Sequence, residues 1–165
     1  MLQLRDIHKK KIAGLTEYKN LYIESELQSG DKTLCFSYPK KANFHSDIVE
    51  ECYIDTKENE YIVKEKNVGS EYTSFKCILN LEDLEGQPFE RYASEEQTID
   101  KALALALAGT GWIVGMCNLK KRRTIRISNC SSLDIIKEIK KIYRCDLVFN
   151  TLTKTIDVYE SLGED

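Results

Sequence analysis

The sequence has only two prolines, eight glycines and two histidines among its 165 residues, and neither charge sign dominates. So little proline and glycine is typical of a globular chain and excludes a disordered one. With 24 basic and 27 acidic residues, the net charge of -3 gives no overall field that would hold nucleic acid. No apolar stretch reaches the roughly 18 residues of a membrane span, and the start, MLQLRDIHKKK, does not have the pattern of a secretion signal. We therefore expect neither nucleic acid nor a membrane as a partner.

The cysteines are spaced too widely for a metal site. They contain no C-x-x-C pair, and no histidine stands near them at ligand spacing. They are Cys35, Cys52, Cys77, Cys117, Cys130 and Cys145. Several fall within apolar or alternating runs, where a free cysteine behaves as a small hydrophobic residue. We predict reduced, mostly buried thiols in an intracellular product.

Residues 1–90 contain short segments rich in β-branched and aromatic residues, which is typical of strands. The segments are 21–27, 33–38, 51–55, 60–66 and 73–81. The polar links QSGDK (28–32) and TKENE (56–60) have hairpin length, which favours antiparallel neighbours. We predict an antiparallel β-barrel or sandwich over residues 1–90, with a helical turn at 46–50.

The periodicity changes around residue 90. Ser94 stands three residues before Gln97, the spacing of a capping box, so a helix is predicted to begin there and to end near Gly109. Apolar residues at three- and four-residue steps predict a second helix over 131–144. Strands are predicted at 111–118, 123–128, 146–149 and 155–159. The result is an α-β-β-α-β-β layer over 91–165, two helices covering one antiparallel sheet, and an α+β fold overall.

The glycine-rich segment GTGWIVG (109–115) invites comparison with a phosphate-binding loop. A dinucleotide fingerprint has G-x-G-x-x-G between a strand and a helix, whereas this segment has G-x-G-x-x-x-G after a helix. The negative end of the helix dipole would therefore face a phosphate. We interpret Gly109 as a left-handed helix stop, Gly111 as a turn residue and Trp112 as a core aromatic.

No other motif indicates chemistry. The basic cluster LKKRRTIR (119–126) has no interleaved aromatics and is interpreted as a solvated hairpin turn, with an acidic protein favoured over nucleic acid as an alternative partner. His8 and His45 are lone histidines, interpreted as surface residues. No serine, cysteine or carboxylate pair stands in a catalytic motif. We therefore predict no catalytic, cofactor-binding or metal-binding residue and no cofactor.

Several strings along the chain occur in a familiar order. They are LQLRDIHKKKI, LYIESELQSGDKTLCFSYP, ENEYIVKEK, SFKCILNLEDL, TIDKALALALAGTGWIVG and RTIRISNCSSLDIIKEIKKIYRCDLVFNTLTKTIDVYE, and AGTGW is the most specific part. In this order they resemble the N-terminal part of the phage tail proteins known as prophage tail endopeptidases, tail-associated lysins or minor structural proteins. The front section of that family is related to baseplate hub proteins.

The resemblance implies a structural role at the tail tip. It implies a virion tail protein made in the bacterial cytoplasm, with itself as a partner in a homotrimer and with distal tail and tape-measure proteins as neighbours. Any endopeptidase activity would lie in a C-terminal segment that we expect this chain to lack. Full-length hubs have a second β domain, and without it this chain would be either a trimer or a monomer in solution. The alternatives are a cell-wall-degrading tail hydrolase and an unrelated host binding module.

Overall fold

The computed structural model describes residues 1–25 and 32–161, which form two compact units that divide between Asn80 and Leu81. The first unit is built of strands and one short helical turn, and the second combines strands with three helices. The predicted α+β class, with its antiparallel β unit first, is confirmed. The predicted domain boundary at residue 90 stays a prediction. None of the helices in the described residues is long and apolar enough to cross a membrane.

The first unit is a single curled sheet. Its strands are β1 (Leu2–Arg5), β2 (Lys11–Leu15), β3 (Lys19–Ser25), β4 (Lys32–Pro39), β5 (Tyr53–Asp55), β6 (Glu60–Val68) and β7 (Tyr72–Leu79). The seven strands follow the order β2-β1-β5-β6-β7-β4-β3, and each neighbouring pair is antiparallel. The described residues thus form one sheet, where a sandwich would need two.

Most of the strand predictions in this unit are confirmed. β4, β6 and β7 coincide with the predicted segments, and a 3₁₀ turn at His45–Asp47 overlaps the predicted helical turn at 46–50. The predicted link 28–32 lies outside the described residues except for Lys32, and so do residues 26 and 27 of the first predicted strand. β1 and β2 were not predicted.

The core of this unit is made by alternation along the strands. Leu34, Phe36 and Tyr38 of β4 are buried, as are Phe75 and Cys77 of β7, while the residues between them are more exposed. Phe36 and Phe75 are paired in the register and stack with their ring centroids 5.2 Å apart. Burial of each such side chain contributes about 1.5–3 kcal/mol to folding.

The second unit places helices against two small sheets. Its elements are α1 (Glu82–Glu85), β8 (Pro88–Thr98), α2 (Ile99–Ala106), β9 (Ile113–Cys117), β10 (Arg122–Ser131), α3 (Ser132–Tyr143), β11 (Cys145–Asn150) and β12 (Thr155–Glu160). β8 and β10 form an antiparallel pair, and the other sheet has the order β11-β12-β9. α2 and α3 contact each other, and each contacts both sheets, so the apolar core lies between them.

The predicted helix start at Ser94 is wrong. Residues 88–98 form β8, and the helix begins at Ile99 with Thr98 as its N-cap. The reason is pairing with β10: Ser94 lies opposite Ile125 in the register, and Ser94 is buried in this ladder. A capping-box spacing is a local signal, and the ladder outweighs it here.

Two predictions about connectivity are also wrong. The second unit has two sheets where one antiparallel sheet was expected, and β12 pairs with β9 in parallel. The basic cluster at 119–126 is not a hairpin turn, because β9 and β10 belong to different sheets and its second half lies within β10. The predicted strands over 111–118, 123–128, 146–149 and 155–159 and the helix over 131–144 are confirmed.

Candidate assembly surface

The glycine-rich segment forms a tight turn after α2. Gly109 and Gly111 adopt φ of 81° and 84°, in the left-handed region that favours glycine. Thr110 Oγ1 donates to the Leu107 carbonyl at 2.7 Å and accepts from the Trp112 N–H at 3.1 Å, which closes the turn. Trp112 is 4% exposed. The interpretation of this segment as a helix stop, a turn and a core aromatic is confirmed.

Trp112 packs in the core of the second unit. Its ring meets Phe149 of β11 edge to face, with the ring centroids 6.2 Å apart. Edge-to-face pairs of this kind add about 0.5–1.5 kcal/mol beyond the buried area. The turn therefore fixes how α2 leads into the three-stranded sheet.

The surroundings of His45, Cys77 and Cys145 shift the pKa values of these three side chains. His45 Nε2 lies 2.7 Å from Thr73 Oγ1, and burial, followed by the nearby charges of Lys66 and Lys40, lowers the pKa of His45. Burial raises the pKa of the Cys77 thiol and raises that of Cys145 to about 11. A thiol with a raised pKa stays protonated at neutral pH and is a weak nucleophile.

The six cysteines are free, as predicted. Three are buried and three are half-buried, so the predicted burial is confirmed for Cys52, Cys77 and Cys145, and the reduced state stays a prediction. In the ranges 1–25 and 32–161, no group of three or more histidine, cysteine or carboxylate side chains is placed to hold a metal ion. His8 is exposed, as expected for a surface residue.

The clearest surface feature of the first unit is its end strand β3, which we call the β3 edge (Lys19–Ser25). β4 is the one neighbour of this strand in the part of the chain that the structure describes. Its seven residues are all exposed, and Leu21, Tyr22 and Ile23 make three consecutive apolar positions. An end strand offers backbone N–H and C=O groups on its open side, and such edges are usually protected by charge, proline or a short length.

Ile23 lies at the edge of the sheet, on the same face as the buried core residues. In the register, Ile23 lies opposite Leu34, and Leu34 lies opposite Cys77, so the three share the inward face of the sheet. Leu34 and Cys77 are 0% exposed, whereas Ile23 is 47% exposed. The row of core side chains therefore ends in a large apolar residue that is half open to solvent.

The basic cluster contributes to a cleft in the second unit. Lys121 and Arg123 line a cavity of about 590 Å³ together with Arg144, the residue that ends α3. The other lining residues are Ile142, Tyr143, Glu160 and Ser161, and we call this group the basic cleft. Lys121 Nζ donates to the Tyr143 carbonyl at 3.0 Å, which places a cation at the negative end of α3.

Each of the two units matches a family model of known proteins. A family model described as the prophage endopeptidase tail N-terminal domain matches residues 2–78, and one described as the prophage endopeptidase tail domain matches residues 88–158. The chain belongs to this prophage tail endopeptidase family. Both models describe tail domains, so this member of the family is a structural component of a phage tail. Among curated proteins, no significant match is found.

Solved structures of tail proteins share the fold at low sequence identity. Prophage tail protein gp18 from Listeria monocytogenes EGD-e has a TM-score of 0.74 at 12% identity, over 96% of this chain and 50% of its own. The tail protein from Neisseria meningitidis MC58 has a TM-score of 0.61 at 12% identity, over 95% of this chain and 49% of its own. The 43 kDa tail protein of prophage MuSo2 from Shewanella oneidensis has a TM-score of 0.56 at 14% identity, over 96% of this chain and 54% of its own. The chain thus spans about half the length of these proteins.

The sequence of this tail family member gave partial signals for the two surfaces. The run Leu21, Tyr22, Ile23 interrupts the alternation of a half-buried strand, which indicates an apolar residue on each face. The cations of the basic cleft come from the start of β10 with the residue before it and from the end of α3, segments that only the tertiary fold brings together.

Proposed function

We propose that this chain is the N-terminal part of a tail-tip, baseplate-hub-like protein and that it acts by protein–protein assembly, without catalysis. In the complete protein, its partners are further copies of itself in a homotrimer, together with the distal tail and tape-measure proteins. Any endopeptidase activity of the complete protein lies in a segment C-terminal to these two units. The chain is made in the bacterial cytoplasm and functions in the virion tail.

The β3 edge is the observation that carries this proposal. It combines an open hydrogen-bonding side with exposed Leu21, Tyr22 and Ile23, and a strand of a second copy that pairs there satisfies both features. Covering the exposed part of each such side chain contributes on the order of 1 kcal/mol, at about 25 cal/mol for each Å² buried.

The chemistry of the titratable side chains also supports an assembly role. A cell-wall hydrolase needs a nucleophile beside a base, a pair of carboxyl groups with separated pKa values, or a water activated by a bound metal ion. His45 instead has a hydroxyl partner in Thr73 and lysines as its charged neighbours. The buried thiol of Cys145, with its pKa raised to about 11, is not activated either.

The β3 edge can be tested by sedimentation velocity of the purified chain over a wide concentration range. We expect the wild-type chain to associate as its concentration rises, and Ile23→Lys to weaken the association by roughly tenfold or more because it places a charge at the contact. Val68→Lys is the matched control, since Val68 is 63% exposed at the end of β6, which β7 and β4 separate from β3 in the same sheet, and the substitution adds the same charge.

Two results would count against the β3 edge as the contact. One is a wild-type chain that stays monomeric at every concentration. The other is an equal loss of association in Ile23→Lys and Val68→Lys, which would assign the association to general charge effects. Far-UV circular dichroism and thermal melting of each variant establish that it is folded before its mass is compared.

A further inference from the structure

The basic cleft gathers positive charge from two separate elements. Lys121 precedes β10, Arg123 lies within it, and Arg144 ends α3. Against these three cations, the described residues of the cleft lining include a single carboxylate, that of Glu160. The chain as a whole has a net charge of -3, so this positive cleft is a local departure from the charge of the molecule.

The two arginines of the cleft are not neutralised by the fold. Arg123 and Arg144 are exposed, and the ion pairs of the described second unit are Arg126 with Glu95 and Lys154 with Asp83. Arg123 Nη1 donates to the Arg122 carbonyl at 2.7 Å, which leaves its remaining N–H groups for a ligand. Lys121, by contrast, already donates a hydrogen bond to the Tyr143 carbonyl.

Arg144 occupies a backbone position that favours a different residue. It ends α3 with φ 52° and ψ 61°, the left-handed conformation in which helices usually carry glycine or asparagine. The side chain of Arg144 therefore contributes nothing to the backbone geometry, and glycine would fit the helix end better. The exposed guanidinium of Arg144 lines the cleft and is not needed to hold the helix end.

We propose that the basic cleft binds a carboxylate-rich segment of a partner protein, with Arg123 and Arg144 as its main contacts. A guanidinium binds a carboxylate through two parallel hydrogen bonds, and these charge-assisted bonds are stronger than neutral ones. This site is separate from the β3 edge and does not depend on association of the chain with itself.

The lining of the cleft favours an acidic peptide over single-stranded nucleic acid. Proteins that bind single strands stack bases on exposed aromatic rings. Among the lining residues that the structure describes, the one aromatic is Tyr143, which is 1% exposed and whose hydroxyl donates to the Gln97 carbonyl at 2.7 Å. The Tyr143 ring is thus buried in the core and offers no exposed face on which a base could stack.

The test measures binding of a short fluorescein-labelled polyglutamate peptide to the purified chain by fluorescence anisotropy at low ionic strength. We expect Arg144→Gly to weaken binding by about tenfold, the effect of losing one charge-assisted contact, and to leave the melting temperature unchanged or raised. We expect Arg123→Gln combined with Arg144→Gly to abolish binding. Arg91→Gln is the matched control, because Arg91 is exposed and lies about 20 Å along β8 from the residue opposite Arg123.

The proposal is overturned by any of four results. These are no peptide binding by the wild-type chain, an equal loss in Arg91→Gln, tighter binding of a labelled single-stranded oligonucleotide of the same net charge, and a lowered melting temperature of Arg144→Gly. The last result would show that Arg144 is there to support the helix end. Loss of binding in Arg144→Gly alone, with intact folding and an unaffected control, supports the proposal.

Discussion

Gly115 in β9 shows how a single residue position is fixed by its neighbour across the sheet. Asp157 Oδ1 accepts the Met116 N–H at 2.7 Å, at the irregularity in the pairing of β9 with β12. A Cβ added at position 115 would overlap this same oxygen atom. The hydrogen bond and the glycine therefore depend on each other.

We predict that Gly115→Ala lowers the free energy of unfolding by about 1–2 kcal/mol, because the Asp157 side chain must move and leave its hydrogen bond. In an Asp157→Ala background, the same substitution should cost distinctly less, since the overlapping oxygen is absent. Urea denaturation of the four chains in this double-mutant cycle measures the difference. Equal costs in the two backgrounds would contradict this account.

Single residues also show what the sequence could and could not reveal. Trp112 was predicted to be a core aromatic, because a lone tryptophan between a helix stop and a strand has an obvious local role. Ser94 was predicted to start a helix and lies in a strand, because its spacing to Gln97 is a local signal while its partner Ile125 is distant in sequence. Local chemistry was predictable, and pairing across the chain was not.

At the scale of elements, α3 is the clearest case of a helix specified by its own sequence. The Ser131 hydroxyl accepts the Asp134 N–H at 3.2 Å, and Asp134 Oδ2 accepts the Ser131 N–H at 2.9 Å, which completes a capping box. The hydrogen bond from the Ser131 backbone N–H, followed by the interaction with the Ser131 side chain, lowers the pKa of the Asp134 carboxyl. The start of α3 could be predicted because every group involved lies within one turn.

Ser131→Ala should destabilise the second unit by about 1 kcal/mol, since it removes the side-chain cap of α3. Ser128→Ala is the control, because Ser128 is exposed in the same strand and caps no helix. Thermal denaturation followed by circular dichroism at 222 nm, the helix wavelength, compares the two. If Ser128→Ala lost as much stability as Ser131→Ala, the capping box would not be the cause.

The sheets of the second unit illustrate the opposite situation. Strands β9 and β12 pair in parallel although β10, α3 and β11 lie between them in the sequence. Antiparallel hairpins are signalled by short polar links, such as the one between β11 and β12, whereas a parallel pair has no local signal. That is why the hairpin was predicted and the division into two sheets was not.

For the whole molecule, the order of elements was more informative than any single motif. The strings that resemble the tail endopeptidase family run through both units, and both family models match in the same order, over 2–78 and 88–158. The surfaces were harder to predict. The exposure of Ile23 and the meeting of Arg123 with Arg144 depend on the folded sheet and on where α3 ends.

The central claim is that this chain is a structural part of the tail tip and works through assembly. The most direct measurement is immunogold electron microscopy of phage particles induced from the bacterium that carries the gene, with antibodies raised against the purified chain. We predict gold label at the distal end of the tail, with no label on particles from a strain in which the gene is deleted. Intact tails that carry no label at that end, and no peptides of the chain by mass spectrometry, would contradict the claim.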